Sequence, residues 1–177
     1  MKKILIVYKS VTGFTERYAG WLAEETGCEI TELKAATPER LSEVDIIVFG
    51  GRFHAGSVDG LAAAKKLFEK STAKEFVVFA IGAMPPEAKE QIAEAWRRNF
   101  TEEEIRKIPH FYMQGGLNYE RMPFGDKLMM KVFSAMVKRQ KDDGYGGAMK
   151  EAVAGSFDCS DRSQCGPLIA YLKERQG

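Results

Sequence analysis

The sequence predicts an α/β fold in which a parallel sheet of five strands carries helices on both faces. Apolar segments of strand length alternate with segments of helical periodicity, and short connections join them. The strand segments are apolar almost throughout, as expected where both faces of a strand are buried. In this interpretation each central strand ends in glycine. Together these observations predict a doubly wound sheet with right-handed crossovers.

The predicted strands cover residues 2–8, 28–33, 44–49, 75–81 and 109–115. The second alternates apolar and polar residues, which predicts a strand at an edge of the sheet. Glycines follow the last three, as Gly50-Gly51, Gly82 and Gly115-Gly116. We therefore expect the third strand to end at Gly50-Gly51 and a loop to follow over residues 52–58.

Helical patterns fill the connections, over residues 15–26, 59–70, 85–99, a short stretch after Thr101, 124–138 and 161–176. Pro85-Pro86 is placed in the first turn of its helix, where proline is tolerated. Thr101 resembles an N-cap, because an acidic first turn follows it. Pro167 lies inside the last pattern, so this helix is expected to start later than the pattern suggests.

Residues 117–155 exceed what a minimal five-stranded domain needs, and we interpret them as an insertion into a single domain, residues 1–177. They contain a methionine-rich helix and a glycine-rich loop, Gly144-Tyr145-Gly146-Gly147. Residues 121–141 hold six basic residues against one acid, Asp126. Three roles are open for this segment: peripheral contact with a membrane surface, docking of a partner, or packing at the domain edge with the lysines in water.

Composition excludes several classes of protein. The 177 residues are 45% hydrophobic, which argues against disorder, and the formal net charge of +1 predicts no nucleic-acid partner. No apolar segment reaches the roughly 18 residues of a membrane span, and Met1-Lys2-Lys3 leads into a strand rather than a secretory leader. Three cysteines without a C-x-x-C spacing favour neither a disulfide framework nor a zinc site. We expect a cytoplasmic domain without a metal centre.

The most informative segment is the turn after the first strand, Ser10-Val11-Thr12-Gly13-Phe14-Thr15. A tight turn between a strand and a helix offers free backbone N–H groups and the positive end of the helix dipole, which favour an anion. Ser10, Thr12 and Thr15 add hydroxyl donors, and Gly13 permits a left-handed backbone. The turn therefore predicts a phosphate site without a positive side chain. The alternative is an ordinary turn with a threonine N-cap.

Two familiar phosphate-binding motifs are absent from this turn. It lacks the Gly-Lys-Ser/Thr ending of a Walker A loop, and it lacks G-x-G-x-x-G. In open parallel sheets a ligand lies beyond the carboxyl ends of the strands, where the strand order reverses. Three segments are expected to meet there, namely residues 8–15, 50–58 and 82–86.

The turn matches the pattern [ST]-x-T-G-x-T, and its position after the first strand makes the chain resemble the flavodoxin family. The resemblance covers about residues 1–116 and the last helix. It implies a sheet of order 2-1-3-4-5 with FMN at the switch point between the first and third strands. It implies that the FMN phosphate is surrounded by Ser10, Val11, Thr12, Gly13, Phe14 and Thr15. It also implies two loops against the flavin ring, Gly51, Arg52, Phe53, His54 and Ala55 in one and Gly82, Ala83 and Met84 in the other.

A finer resemblance is to the menaquinone-dependent protoporphyrinogen oxidase branch of flavodoxin-like proteins. It rests on Gly115-Gly116-Leu117-Asn118-Tyr119, on Asp126-Lys127-Leu128-Met129-Met130-Lys131, on Arg52-Phe53-His54 and on the insertion. It implies an FMN-dependent oxidoreductase that oxidises protoporphyrinogen with a quinone as acceptor. The alternatives are a flavodoxin-type electron-transfer protein serving a partner enzyme, and a domain that binds another phosphorylated ligand.

The chain departs from small electron-carrier flavodoxins in two respects. Those proteins are strongly acidic, whereas this chain is near neutral and carries a basic helix. Residues 82–86 also lack the aromatic residue that usually stacks on the flavin. Unless Phe53 supplies that contact, one face of the ring stays open, which suits a reacting substrate or a quinone.

Several polar side chains near the predicted site each have two interpretations. Arg52 is a candidate to bind a substrate carboxylate or stabilise reduced flavin, or else a solvated surface arginine. His54 is a candidate proton shuttle, or a loop histidine with local hydrogen bonds. Asn118 and Tyr119 are candidate pocket residues or ordinary loop residues. We predict no protein residue as a required acid or base, since FMN carries the chemistry.

Two further polar residues are expected to lie outside the chemistry. His110 stands at the start of a predicted strand, and we interpret it as structural. Asp45 opens the third strand and is interpreted as a turn residue rather than an acid catalyst.

Overall fold

The computed structural model describes residues 2–139 and 155–177. Its main sheet contains five parallel strands in the spatial order β2-β1-β3-β5-β6. These strands are β1 (Ile4–Tyr8), β2 (Glu29–Glu32), β3 (Ile46–His54), β5 (Glu75–Gly82) and β6 (His110–Gln114). The order is the predicted 2-1-3-4-5 of a doubly wound sheet, and the second predicted strand does lie at an edge.

Two short antiparallel pairings accompany the main sheet. Strand β4 (Ser57–Val58) pairs with the end of β3. Strand β7 (Gly116–Leu117) pairs with β8 (Phe157–Asp158), which joins the two ends of the insertion beside the last central strand. The predicted glycine-rich loop, residues 144–147, lies outside the described residues.

Helices cover both faces of the sheet. They are α1 (Phe14–Thr26), α2 (Leu61–Glu69), α3 (Lys89–Asn99), α4 (Glu102–Lys107), α5 (Phe124–Arg139) and α6 (Gly166–Gln176). Alternate residues of β1 belong to two separate hydrophobic cores, because successive side chains of a strand point to opposite faces of the sheet. Ile6 is buried with α1 and α6, and Val7 is buried on the other face with α2 and α3. This division explains why the strand segments are apolar throughout.

Proline chemistry corrects one predicted helix start and confirms another. Helix α3 begins at Lys89 and not at Pro85-Pro86, which instead open a turn closed by the Ala88 N–H donating to the Pro85 carbonyl (3.0 Å). A residue that precedes proline is disfavoured in the helical region, so Pro85 cannot easily start the helix. Helix α6 begins at Gly166 with Pro167 in its first turn, and a 3₁₀ turn, Arg162–Cys165, occupies the earlier part of the pattern. The later start expected from Pro167 is confirmed.

The predicted end of the third strand at Gly50-Gly51 is wrong. Strand β3 continues to His54, and the pair serves close packing within the sheet. A Cβ on Gly50 would overlap the ring of Phe79, and a Cβ on Gly51 would lie 2.7 Å from the carbonyl oxygen of Asp59. Instead of a loop, residues 52–58 form a hairpin with β4.

The short helix α4 confirms its predicted cap. Thr101 Oγ1 accepts from the Glu104 N–H (3.2 Å), and the Glu104 carboxylate accepts from the Thr101 N–H (2.8 Å). This reciprocal pair satisfies two N–H groups that the helix itself leaves free.

Helix α5 does not bury its apolar row against the described part of the domain. Leu128, Val132 and Met136 are 55%, 56% and 62% exposed. The interpretation of α5 as a helix packed at the domain edge is therefore wrong for this row. None of the described helices is both long and apolar enough to cross a bilayer.

Candidate functional site

The turn between β1 and α1 has the geometry of an anion site. Gly13 is the N-cap residue with φ 97°, and no side chain caps α1, so the threonine N-cap alternative is wrong. Ser10 Oγ accepts from the Gly13 N–H (3.2 Å), which holds the turn. The side chains of Phe14 and Thr15 are buried. At the start of the helix these two residues therefore offer their backbone N–H groups. These groups and the helix dipole favour an anion here.

The register of the sheet brings the predicted ring loops beside this turn. Tyr8 at the end of β1 pairs with Gly50, Arg52 pairs with Ile81, and Gly82 pairs with Gln114. The three segments therefore leave adjacent strands at one edge of the sheet. After β1 the chain moves outward to β2 and then returns to β3 on the other side, which makes this edge a topological switch point. The predicted convergence of the three segments is confirmed.

The second loop of the site after the turn Ser10 to Thr15 is the predicted ring loop Gly51 to Ala55, called the second ring loop below. It comprises the end of β3 and the start of the β3–β4 turn, and α3 holds this hairpin by hydrogen bonds. Ala55 (φ 49°) and Gly56 (φ 84°) form a two-residue turn, for which left-handed residues are typical. Asn99 Oδ1 accepts from the Val58 N–H (2.7 Å), and Asn99 Nδ2 donates to the Gly56 carbonyl (2.9 Å). Asn99 at the end of α3 therefore ties the hairpin to the domain by two hydrogen bonds.

Arg52 is held by two carboxylates. Its Nε donates to Asp59 Oδ2 (2.6 Å), and its Nη2 donates to Asp126 Oδ2 (2.8 Å). The three side chains are only 15–21% exposed. The interpretation of Arg52 as a solvated surface arginine is therefore wrong, and its roles toward a substrate carboxylate or reduced flavin stay predictions.

His54 faces the same carboxylate. Its Nε2 lies 3.2 Å from Asp126 Oδ1, an ion-pair distance when the ring is protonated, but the atom is buried and makes no aligned hydrogen bond. The insertion thus places its acid against both polar side chains of the second ring loop.

Tyr112 and neighbouring aromatic rings support the other predicted ring loop, Gly82 to Met84. Tyr112 Oη donates to the Met84 carbonyl (2.6 Å), and burial raises the pKa of its phenol, so it stays a donor at neutral pH. The Phe53 ring packs against Trp96 (4.9 Å between centroids) and Tyr112 (6.0 Å). Gly82 lies against Tyr112, where a Cβ would be 2.7 Å from Oη. The Phe53 side chain thus packs on Trp96 of α3 and on Tyr112 of β6.

A cavity of about 480 Å³ adjoins the turn Ser10 to Thr15 on the side of the insertion. It is lined by Thr12, Gly13, Phe14, Glu16, Arg17, Leu117, Asn118, Glu120, Arg121, Ser156, Phe157 and Asp158. The predicted ring-loop residues do not line it. Asn118 Oδ1 accepts from the Arg121 N–H (3.1 Å), and the Tyr119 N–H donates to Ser156 Oγ (2.9 Å). Asn118 is thus both a pocket and a loop residue.

Two candidate residues lie away from the site, as predicted. Asp45 accepts from the Lys3 N–H (2.8 Å) before β3, at the opposite edge of the sheet. His110 Nδ1 lies 2.8 Å from the Ile108 carbonyl oxygen, and its ring packs on Trp96. Both are structural.

The residues that sequence reasoning missed are Asn99, Tyr112, Arg121 and Asp126. All four reach the site from elements that follow the three predicted loops in the chain. Proximity in the sequence to a glycine-marked strand end could have indicated Tyr112, which directly precedes Met113-Gln114-Gly115. The other three depend on tertiary packing that no local pattern records.

These features define a doubly wound α/β protein with an uncapped helix start at its switch point. The chain belongs to the flavodoxin domain family, whose model matches residues 5–143. No curated protein matches the chain.

Solved structures that the chain is similar to include three flavodoxins. One from the domain Archaea is 17% identical (86% of this chain, 99% of that chain, TM-score 0.41). A WrbA-like flavodoxin from Agrobacterium tumefaciens is 18% identical (86% and 99%, TM-score 0.42). The two-electron reduced flavodoxin of Megasphaera elsdenii is 16% identical (69% and 89%, TM-score 0.43). Because these TM-scores lie below 0.5, the family assignment depends on the match to the family's sequence model, and the strand order agrees with it.

Proposed function

We propose that the protein binds FMN and works as an electron-transfer flavoprotein. The observation that carries the proposal is the uncapped start of α1, with left-handed Gly13, at the switch point between β1 and β3. The donor set fits a phosphate: backbone N–H groups, nearby hydroxyls and a cradle at Gly13 that a Cβ would fill. When bound, FMN supplies hydride or single-electron chemistry.

The chain's own residues bind and orient the cofactor in this proposal. Ser10, Val11, Thr12, Gly13, Phe14 and Thr15 hold the phosphate. The hairpin residues Gly51, Arg52, Phe53, His54 and Ala55 lie along one side of the ring, and Gly82, Ala83 and Met84 lie along the other. Tyr112 and Asn99 keep these two loops in position through their bonds to Met84 and Gly56.

Cofactor release tests the proposal. We expect the purified protein to absorb at flavin wavelengths and to release FMN on denaturation. A colourless protein whose refolded apo form does not take up FMN would contradict it. Release of a different phosphorylated compound would support the third interpretation, a domain for another phosphorylated ligand.

A second candidate function, an oxidoreductase with its own substrate, is supported by one observation. Asp126, from the insertion, contacts both Arg52 and His54 in the second ring loop. A segment that carriers of minimal size lack would thus form part of the ring site. The resemblance to protoporphyrinogen oxidases supplies the candidate reaction, with a quinone as acceptor. Anaerobic assay with protoporphyrinogen and a menaquinone analogue tests it, and absence of turnover would favour a carrier that serves a redox partner protein.

Peripheral membrane contact through residues 121–141 is a further proposal. It is supported by the exposed row Leu128, Val132 and Met136, with Lys131 also exposed on the same helix. Vesicles with anionic lipids should bind the wild type and should release the double variant Leu128→Glu/Val132→Glu. Equal sedimentation of both proteins would contradict the membrane contact.

A further inference from the structure

Arg121, a basic residue of the insertion, lies against Gly13 in the turn Ser10 to Thr15. A Cβ placed on Gly13 would be 2.6 Å from Nη1 of Arg121 and 3.8 Å from its Cζ. The guanidinium therefore covers the face of Gly13, beside the uncapped N–H groups of α1. Arg121 is exposed overall and lines the cavity beside this turn.

The charges around this cavity leave Arg121 available. Arg17, the other cation of the lining, pairs with Asp158 (2.5 Å), and Glu120 accepts from Ser156 Oγ (2.8 Å). Within residues 2–136 and 155–177, whose side chains are described, no carboxylate lies within 4.0 Å of the Arg121 guanidinium. Its guanidinium is therefore not paired with a carboxylate from this part of the chain and can donate to an added acceptor.

One further charge lines the cavity and opposes an anion. Glu16 lies in the first turn of α1, close to where a phosphate would sit. A phosphate held by backbone N–H groups alone would meet this carboxylate without compensation. A guanidinium at Arg121 offsets it and presents a fork of N–H donors that matches phosphate geometry.

We propose that Arg121 is a direct ligand of the phosphate group of bound FMN. The inference rests on the proposed function, and it corrects the expectation that the phosphate is held without a positive side chain. Arg121 precedes α5 by three residues, and Asp126 in α5 contacts the second ring loop. The insertion would therefore touch both the phosphate end and the ring end of the cofactor site, so that cofactor binding and the position of α5 are linked.

Flavin titrations of the apoprotein test the assignment. The wild type and Arg121→Gln are to be titrated with FMN and with riboflavin at low ionic strength. The control variant is Arg106→Gln, which removes one exposed arginine from α4. We expect Arg121→Gln to raise the Kd for FMN about tenfold, the scale of one charge-assisted hydrogen bond at a partly exposed site. The Kd for riboflavin, which has no phosphate, should stay unchanged, and Arg106→Gln should match wild type for both.

Three outcomes separate this inference from its alternatives. An unchanged Kd for FMN in Arg121→Gln would overturn it while the proposed function stands. An equal loss for FMN and riboflavin would also overturn it, because Arg121 would then only support the fold of the site. A wild type that binds neither flavin would contradict the proposed function itself. Raising the salt should shrink the difference between wild type and Arg121→Gln, since screening weakens exposed charge pairs.

Discussion

Asp126 lies 2.8 Å from Nη2 of Arg52, and this contact ties the inserted helix α5 to the end of β3. Asp59 Oδ2 accepts a hydrogen bond from Nε of the same guanidinium (2.6 Å). The arginine is thus shared between an acid of the ordinary domain and an acid of the insertion. Because both side chains of the Arg52–Asp126 pair are about six-sevenths buried, at 16% and 15% exposure, the pair is poorly screened by solvent.

The first prediction concerns this contact. Asp126→Asn should lower the free energy of unfolding by about 1–3 kcal/mol, because a charge-assisted hydrogen bond in a largely buried place is lost. A double-mutant cycle with Arg52→Gln should give a coupling energy within about 0.5–3 kcal/mol. Urea unfolding measures both quantities. Glu94→Gln, which breaks exposed pairs on α3, is the control and should change stability by less than about 0.5 kcal/mol. A coupling energy of zero would show that the contact does not hold α5.

The second prediction compares two glycines at α1. Gly13→Ala should destabilise by about 1–2 kcal/mol, because alanine is strained at φ 97°, and it should also displace Arg121 and weaken FMN binding. Gly20→Ala, inside the same helix with open space around its Cβ, should stabilise by about 0.5–1 kcal/mol. Thermal unfolding with and without FMN checks both. Similar effects of the two substitutions would be inconsistent with a special conformation at Gly13.

The third prediction concerns the clamp on the β3–β4 hairpin. Asn99→Ala leaves the Val58 N–H and the Gly56 carbonyl without their partner, which should cost about 1–3 kcal/mol. FMN affinity should fall as well, because the hairpin carries a ring loop. Gln91→Ala, exposed on the same helix, should change neither quantity. If FMN affinity is unaffected in Asn99→Ala, the hairpin does not bind the ring.

The fourth prediction is a dependence of stability on pH far from the site. Burial disfavours the charged form of Glu75, but hydrogen bonds from Tyr171 and Arg175 outweigh it and hold its pKa below the ordinary 4.5. A depressed pKa means that the carboxylate stabilises the fold fully above pH 4.5 and loses this contribution as the pH falls through the folded-state pKa. Between neutral pH and about pH 3, wild type should therefore lose more stability than Glu75→Gln. Parallel curves from urea unfolding at each pH would refute this role of Glu75.

The sequence predicts the main sheet well because local residue patterns specify its strands and helices. Apolar strands, alternating helices and the capping box at Thr101 all leave periodic or short-range patterns. The errors occur where the same residue types serve two purposes. Gly50-Gly51 resembles a strand end, yet its glycines make room for the ring of Phe79 and for the backbone at Asp59.

The site is predictable only in part, for a physical reason. The turn Ser10 to Thr15 is one contiguous segment whose chemistry depends on its own backbone, so its motif can be recognised. Arg121 and Asp126 act through contacts across more than 70 residues of chain, at Gly13 and Arg52. Their charges are visible in the sequence, but the surfaces that they meet are defined only by the fold.

Titration of the apoprotein with FMN tests the central claim most directly. Quenching of flavin fluorescence should follow a single-site isotherm, with riboflavin bound at least about tenfold more weakly because the turn Ser10 to Thr15 contributes only to the phosphate. If FMN leaves the fluorescence unchanged, FMN binding is contradicted. If riboflavin binds as tightly as FMN, the phosphate site at the turn Ser10 to Thr15 is contradicted.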